Sequence, residues 1–193
     1  GAVDAAGIAV VLTSSAHRTG TERVAEVAAL PEFSGFDTIL NVQGDEPFVP
    51  AEAIAGALSR VRSGDDVGTA AAPLPLEWRD DPGRVKVVFD ERGRALYFSR
   101  ARIPFVRDAG GGDPPSWQHL GVYAYRRDAL ARWVRLPPTP LEEAEQLEQL
   151  RALGHGLTIG VARLTAPALP GIDTLDDLRR AEAHWLSTHG VPA

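Results

Sequence analysis

The sequence of 193 residues contains no cysteine and no methionine. Without cysteine the chain forms neither disulfides nor thiolate metal sites, so histidine and carboxylate side chains are the remaining candidate metal ligands. It has no apolar run of about 18 residues that could span a membrane. It also has no signal-peptide pattern of a basic start, an apolar middle and a small-residue cleavage site. We therefore expect a cytoplasmic protein without a membrane partner.

The absence of methionine also means that the sequence shows no translation start. Its first seven residues, GAVDAAG, are typical of the last turns of a helix with a glycine at the cap. A strand pattern follows directly. We expect the chain to begin inside an element of secondary structure.

Charge and composition narrow the class of protein. The net charge of -6 and the pI near 5.4 argue against a nucleic-acid-binding protein, which usually carries a basic face. The 44% hydrophobic and 24% charged residues are typical of a globular enzyme. No repeat, low-complexity tract or long linker divides the chain, so we predict one domain over residues 1–193.

Apolar runs alternate with helical patterns in the first half of the sequence. Strands are predicted at 8–12, 38–42 and 67–72, and helices after Thr19 and over 50–61 with Ile54 and Leu58 facing inward. This order indicates a parallel sheet covered by helices on both faces. The second half predicts a hairpin over 85–98, strands at 120–125 and 157–164, and helices over 128–136, 140–153 and 174–188. Residues 108–116 are typical of a flexible loop.

The segment NVQGDEP at positions 41–47 follows one of these strands. Ligands bind beyond the carboxyl ends of strands in open α/β sheets, and an acid placed there can hold a divalent cation against phosphates. The segment therefore indicates metal-dependent nucleotide chemistry at Gln43, Asp45 and Glu46. A polar turn that only redirects the chain is the alternative.

A second acidic segment, GIDTLDDL, begins at Gly171. Asp173 or Thr174 can cap the helix that follows, and acids in a first helical turn suit the helix dipole. Helix capping alone explains these acids, without any bound ligand. The functional hypothesis is that Asp173 supplies a second carboxylate for a magnesium ion.

Three further groups are candidates for binding. Residues 17–23 join a strand end to a helix N-terminus with the spacing of a capping box, where backbone N–H groups favour electron-rich ligand atoms. Arg100 follows the hairpin, and arginine suits carboxylates; a solvated basic turn is the alternative. His119 and Tyr123 share a strand face, and together with the polar side of the 140–153 helix they could contact a polyhydroxylated ligand. That side carries Glu148 and Gln149.

In this order, the motifs resemble the 3-deoxy-D-manno-octulosonate (Kdo) cytidylyltransferases, also called CMP-Kdo synthetases. The matching stretches run from about Thr19 to the last helix and are TGTERVAEV, NVQGDEPFVP, VKVVFDERGRALYFSRARIPF, HLGVYAYRR, LEEAEQLEQLRAL and GIDTLDDLRRAE. The resemblance implies a Rossmann-like nucleotidyltransferase fold of three α/β/α layers, with a mostly parallel sheet and a β-hairpin. It also implies a homodimer that couples CTP to the sugar acid with Mg²⁺ and releases pyrophosphate.

The resemblance also assigns roles to individual residues. Asp45 and Asp173 would be catalytic and bind Mg²⁺, and Thr19, Gly20 and Arg23 would lie near the cytidine. The sugar acid would contact Gln43, Arg100, His119, Tyr123, Glu148 and Gln149.

The sequence departs from the family pattern at its start. The family opens with a strand and a basic loop whose arginine and lysine embrace the triphosphate, and this sequence contains no such βα unit. A sheet without that strand should leave an exposed apolar edge. One alternative is therefore a non-catalytic nucleotide-binding relative. A second alternative, CMP activation of another acid such as a phosphonate, stays open because the 108–116 loop is short, Arg102 follows Ala101, and the chain is rich in Ala, Arg, Gly and Pro.

Overall fold

The computed structural model of the chain describes residues 7–107, 114–169 and 171–190. The helix end predicted at residues 1–7 and the loop predicted at 108–116 fall largely outside these ranges. The strands are β1 (Thr38–Val42), β2 (Val67–Leu74), β3 (Lys86–Phe89), β4 (Ala95–Ser99), β5 (Ser116–Arg126) and β6 (Ile159–Arg163). The helices are α1 (Gly20–Ala28), α2 (Ala51–Arg62), α3 (Arg127–Trp133), α4 (Pro140–Glu145), α5 (Gln149–Gly154) and α6 (Leu175–His189).

The sheet is mixed rather than mostly parallel. Strand β5 pairs antiparallel with β1, β2 and β3, strands β3 and β4 form the predicted hairpin, and β2 pairs in parallel with β6. The predicted β1–α2–β2 crossover is present, and β1 and β2 run in the same direction. They lie on opposite edges of β5, however, and this long strand from the second half of the chain converts the parallel arrangement into a mixed one.

Two apolar clusters on opposite faces of the sheet give the three-layer α/β/α arrangement. The first contains Tyr125 and Trp133 and extends to α1, α3 and α5. The second packs α2 against β2 and β5. Its helix face is centred on Ala53, Ala57 and Val61, while the predicted inward residues Ile54 and Leu58 flank that face and are only partly buried.

Small residues allow α2 to lie close to the sheet. A Cβ atom on Gly68 of β2 would stand 1.9 Å from the backbone oxygen of Ala57. The loop that connects β1 to α2 contains Asp45 and contacts β5 through the hydrogen bond from Gln43 N–H to the carbonyl of Gly121.

The strand predicted at 8–12 does not form. The segment makes no ladder with any described strand, and Ile8 and Leu12 are 61% and 92% exposed. An apolar run becomes a strand only where it forms hydrogen bonds with a neighbouring strand, and the run itself does not indicate whether that pairing forms. Among the described strands, β1 pairs only with β5, so its other edge is open, and Leu40 and Val42 on one face of it are 40% and 38% exposed.

The single helix predicted over 140–153 is broken. Gln146 has a left-handed backbone, with φ of 53°, and separates α4 from α5. The break sends Leu147 and Leu150 into the core and leaves Leu141 half exposed, so these residues do not form one continuous face.

The predicted last helix is confirmed as α6. Its apolar residues differ from the expectation, because Leu175, Leu178 and Trp185 are 73%, 40% and 48% exposed.

Candidate active site

The candidate site is a cavity of about 460 Å³ beside the middle of β5. Strand β1 runs along one edge of β5 as far as the bond from Gln43 N–H to the carbonyl of Gly121, and β3 reaches the same edge where His119 N–H donates to Val85 O. Between these two contacts, none of the described strands lies beside the edge of β5. The cavity lies at this gap, in the type of crevice beyond strand ends where α/β sheets bind ligands.

A bulge in β5 shapes the wall of the cavity. The register with β2 passes from Thr69↔Tyr123 to Ala70↔Leu120, so that Gly121 and Val122 have no partner in β2. A Cβ atom on Gly121 would stand 2.3 Å from the Gln43 side-chain oxygen, so any larger residue here would force the Gln43 side chain to move. Bulges re-aim side chains and are common beside active sites.

Glu46 completes the hydrogen bonding at the bulge. Its Oε1 accepts the N–H of Gly121 at 2.8 Å, in the place where a neighbouring strand would supply a carbonyl. Burial raises the pKa of Glu46, and the charges of Asp45 and Asp173 raise it further. This acid of the QGDEP segment therefore holds β5 through one of its two carboxylate oxygens.

Asp45 and Asp173 are brought to the same cavity by a backbone contact. The N–H of Ile172 donates to the carbonyl of Asp45 at 2.8 Å, which ties the loop after β1 to the segment before α6. The cap of α6 is Thr174, whose hydroxyl accepts the N–H of Asp177 while the Asp177 carboxylate accepts the N–H of Thr174. Because Thr174 does the capping, Asp173 is not needed for it and lines the cavity with Asp45.

These two carboxylates suit a magnesium ion. Within the described ranges there is no cluster of three or more His, Asp or Glu residues arranged to hold a metal. Magnesium sites typically use one or two carboxylates, with substrate phosphates and water completing the octahedron. The donor set therefore fits an ion that binds together with a nucleotide.

Arg100 faces the cavity with its guanidinium held by backbone carbonyls. Nε donates to Glu145 O at 2.9 Å, Nη1 to Pro82 O at 3.0 Å and Nη2 to Gln146 O at 3.4 Å. A guanidinium has five N–H groups, so within the described part of the chain one remains on each terminal nitrogen. That pair matches the fork with which arginine binds a carboxylate.

His119 and Tyr123 share a face, as predicted, with their ring centroids 5.2 Å apart. The Thr69 hydroxyl donates to Val122 O at 2.7 Å, so its oxygen accepts from His119 Nε2 at 3.0 Å. This assigns the neutral ring a proton on Nε2 and an acceptor on Nδ1. Burial lowers the pKa of His119 to about 3 and raises that of Tyr123, so both rings are neutral near pH 7.

Glu148 and Gln149 reach the cavity because of the break before α5. Glu148 Oε2 accepts the hydroxyl of Thr21 at 3.0 Å, whereas its Oε1 is buried without a hydrogen-bond partner among the described residues. Burial raises the pKa of Glu148. An unpaired buried carboxylate oxygen costs free energy, so a ligand hydroxyl that reached it would be bound favourably.

Of the three residues expected near the cytidine, only Gly20, at the start of α1, lines the cavity. Thr19 caps α1 through the N–H of Glu22, whose carboxylate bonds the N–H of Arg18 instead of closing a capping box. Arg23 points away from the cavity and donates to Thr13 Oγ1 and to the carbonyls of Ser14 and His17.

Nine of the eleven predicted site residues thus line one cavity, and Thr19 and Arg23 do not. Sequence reasoning missed Thr21, Lys86 and Glu145, which hold predicted site residues in place. A lysine in an apolar strand pattern was the available signal for Lys86, because a buried ammonium requires polar partners.

The sequence matches the family described as Cytidylyltransferase over residues 2–159. It is 57% identical over 189 residues to the 3-deoxy-manno-octulosonate cytidylyltransferase of Gemmatimonas aurantiaca, covering 96% of this chain and 73% of that protein. The chain belongs to the 3-deoxy-manno-octulosonate cytidylyltransferase family. The enzyme of Methylococcus capsulatus is 46% identical, with 95% of this chain and 75% of the relative covered.

Solved structures agree with this membership. CMP:2-keto-3-deoxy-manno-octonic acid synthetase, solved in complex with CTP, superposes with a TM-score of 0.87 at 35% identity, covering 97% of this chain and 76% of that one. The inositol-1-phosphate CTP transferase of T. maritima has a TM-score of 0.62 at 16% identity and shares the fold. The Rossmann-like nucleotidyltransferase fold is therefore confirmed.

Membership makes this chain a nucleotidyltransferase of a cytidylyltransferase family, and such enzymes generally use a divalent metal ion. In the described part of the chain, no helix is both long and apolar enough to cross a bilayer.

Proposed function

We propose that this protein transfers the cytidylyl group of CTP to the anomeric hydroxyl of 3-deoxy-manno-octulosonate, forming CMP-Kdo and pyrophosphate. The observation that carries the proposal is the convergence of Asp45 and Asp173, a neutral histidine and a carbonyl-bound arginine on one cavity in a chain 57% identical to a named Kdo cytidylyltransferase.

The chemistry is a single in-line displacement. The anomeric oxygen attacks the α-phosphorus, the bond to the bridging oxygen of pyrophosphate breaks, and the proton of the hydroxyl is released. The leaving group needs no covalent help, so we expect no enzyme-bound intermediate, and the protein contributes mainly positioning and charge stabilisation.

We assign Mg²⁺ to Asp45 and Asp173, which would hold it against the α-phosphate. Bound there, the ion would offset the charge that develops on the phosphate oxygens. We assign the nucleotide to the start of α1, where Gly20 lines the cavity and allows close backbone approach, with Thr19 at the cap of that helix near the cytidine. Arg23 would reach the cytidine only by leaving its present acceptors on Thr13, Ser14 and His17.

The acid occupies the other wall of the cavity in this proposal. The two free N–H groups of Arg100 bind its carboxylate, and its hydroxyls meet acceptors and donors of the remaining residues. These are Gln43, His119, Tyr123, Glu148 and Gln149.

Removing one metal carboxylate tests the assignment of the ion. Asp45→Asn should lower turnover by about 10²–10³-fold, the range measured when a single group that stabilises the transition state is removed. Asp173→Asn should shift the magnesium titration to higher concentration. Both are measured as pyrophosphate release from CTP and Kdo by the full-length protein.

Asp176→Asn is the matched control, because Asp176 lies in the first turn of α6 and pairs with Arg179 on the exposed surface. It should leave turnover and the magnesium titration unchanged. Near-normal activity of Asp45→Asn would remove that residue from the metal site, and an unchanged titration for Asp173→Asn would return Asp173 to a structural role.

The identity of the acid is tested separately. The same assay with a panel of sugar acids and phosphonates should give the highest kcat/KM for Kdo. A higher kcat/KM for a phosphonate would show that a phosphonate, and not Kdo, is the acceptor. If no acid gives pyrophosphate release, a non-catalytic nucleotide-binding protein is favoured.

We also propose a homodimer working in the cytoplasm. Leu96 on the hairpin and Phe105 after it are 63% and 84% exposed, which favours coverage by another chain. Sedimentation equilibrium should give twice the chain mass at micromolar concentration, and Leu96→Asp should shift it toward the monomer. A wild-type monomer at that concentration would refute the dimer. The cytoplasmic location is tested by fractionation of disrupted cells, and recovery of the protein in the membrane fraction would refute it.

A further inference from the structure

The backbone of Arg100 is held by two charged side chains from different elements. The ladder between β3 and β4 ends with the pair Lys86↔Ser99, so the N–H and carbonyl groups of Arg100 lie beyond the end of the ladder. The ammonium of Lys86 donates to the Arg100 carbonyl, and Glu145 Oε2 accepts the Arg100 N–H at 2.9 Å. Both polar groups of this residue therefore depend on side chains.

Lys86 joins two walls of the cavity. Its side chain is fully buried, and the ammonium also donates to the carbonyl of Asp81 at 2.9 Å. Arg100 Nη1 binds the next carbonyl along, that of Pro82. The turn before β3 and the end of β4 are thus tied together twice. A buried ammonium costs free energy, and burial lowers the pKa of Lys86, so apolar packing alone does not account for a lysine here.

Glu145 makes the corresponding connection to the helices. It is the last residue of α4, and its carboxylate also accepts the Ser99 hydroxyl at 2.6 Å. Its own carbonyl accepts Arg100 Nε, and the carbonyl of Gln146 accepts Nη2. The end of β4 is therefore fixed to the helix break that brings Glu148 and Gln149 to the cavity.

We infer that Lys86 and Glu145 are positioning residues that together hold the Arg100 guanidinium in register with the carboxylate of the acceptor. Neither needs to touch the substrate. Between them they join three segments, namely the turn before β3, the end of β4 and the end of α4. The inference rests on the proposed function, in which Arg100 binds that carboxylate.

Lys86→Met and Glu145→Gln in the full-length protein test this inference. Each should raise the KM for Kdo by about tenfold or more, because small displacements of a positioning group are costly, while the KM for CTP stays within about twofold. Glu143→Gln is the matched control, since Glu143 lies on α4 with an exposed side chain. It should change neither constant.

A double-mutant cycle separates positioning from general stability. If Lys86 and Glu145 act through Arg100, their effects on the Kdo KM should disappear in an Arg100→Ala background. Effects that persist there, or that raise both KM values equally, would overturn the inference. If Lys86→Met does not fold, Glu145→Gln carries the same cycle. The unsubstituted protein tests the proposed function separately. If that function is wrong, this protein releases no pyrophosphate from CTP in the presence of Kdo.

Discussion

At the residue scale, the environment of each side chain decides how it can be used. His119 forms an edge contact with Phe98, and its Nε2 bonds Thr69. Burial lowers its pKa to about 3, far below the 6.5 of an exposed histidine. The ring therefore presents a neutral acceptor to the cavity over the whole physiological range, and it neither attracts nor repels the charged substrates.

The lowered pKa of His119 makes stability depend on pH. Between pH 6.5 and about 3 the unfolded chain binds a proton at this position that the folded chain does not bind, so stability falls as pH decreases. We expect a contribution of about 1 kcal/mol per pH unit in this window. Urea unfolding of the wild type and of His119→Asn at pH 7 and pH 5 measures the difference. An equal pH dependence in both proteins would contradict the assigned shift.

His119 is also proposed to contact the acid. His119→Ala should raise the KM for Kdo far more than the KM for CTP. Both constants come from pyrophosphate release, and equal increases would remove His119 from the acid pocket.

Gly121 links the bulge to the acid pocket. Gly121→Ala places a methyl group against the ends of the Gln43 and Glu46 side chains, which can move. We therefore expect weaker binding of Kdo with a loss of stability of only about 1–3 kcal/mol. Gly35→Ala is the control, because nothing lies within 4 Å of its added Cβ. Unchanged kinetics for Gly121→Ala would show that Gln43 does not need its present position.

At the element scale, the break between α4 and α5 matters more than either helix alone. Six residues are too few for a stable isolated helix, so tertiary contacts hold both of these six-residue elements in place. Arg151 supplies one contact, since its guanidinium forms two hydrogen bonds to the Glu142 carboxylate on α4. The break directs Gln146 O toward Arg100 and exposes Glu148 to the cavity.

The left-handed Gln146 makes the break testable. An L-residue in this conformation costs roughly 1–2 kcal/mol, and a β-branched residue fits it worst. Gln146→Gly should therefore be more stable than Gln146→Val by about 1–2 kcal/mol, measured as the free energy of unfolding in urea. If the two variants are equally stable, the left-handed conformation is not maintained in solution.

At the scale of the whole molecule, stability is unevenly distributed. Strand β2 is buried along nearly its entire length between β5 and β6. Helix α6 has no buried residue and contacts the body through the edge of Phe48 against His184 and through Arg180 near the Trp78 ring. Such elements open locally at low free-energy cost.

Hydrogen exchange should show this difference and its coupling to ligands. We expect amides of α6 to exchange faster than those of α2, whose Ala53 and Ala57 are fully buried. Addition of Mg²⁺ and CTP should slow exchange at 171–190, because an ion shared by Asp45 and Asp173 would fix the start of α6. Mg²⁺ alone and CTP alone are the controls, and no slowing with both together would contradict a shared ion.

Much of the fold could be predicted from the sequence. The helix at 174–188, the strand at 38–42 and the hairpin were recognisable because their periodicity and turn residues are local signals. The absence of a strand at 8–12 and the break at Gln146 were not recognisable, because pairing and helix continuity depend on segments distant in the chain. The single domain over 1–193 and the roles of the site residues stay predictions.

The sequence by itself determined the family and the chemical types in the site, since motifs and identity are properties of residue order. Only the tertiary structure showed which acids bond the backbone and which line the cavity. Thr174 caps α6 and Glu46 holds the bulge of β5, leaving Asp45 and Asp173 in the cavity. The physical reason is that a carboxylate forms a hydrogen bond with whichever donor the fold brings near it. The backbone hydrogen bond from Ile172 to Asp45, for example, joins segments more than a hundred residues apart.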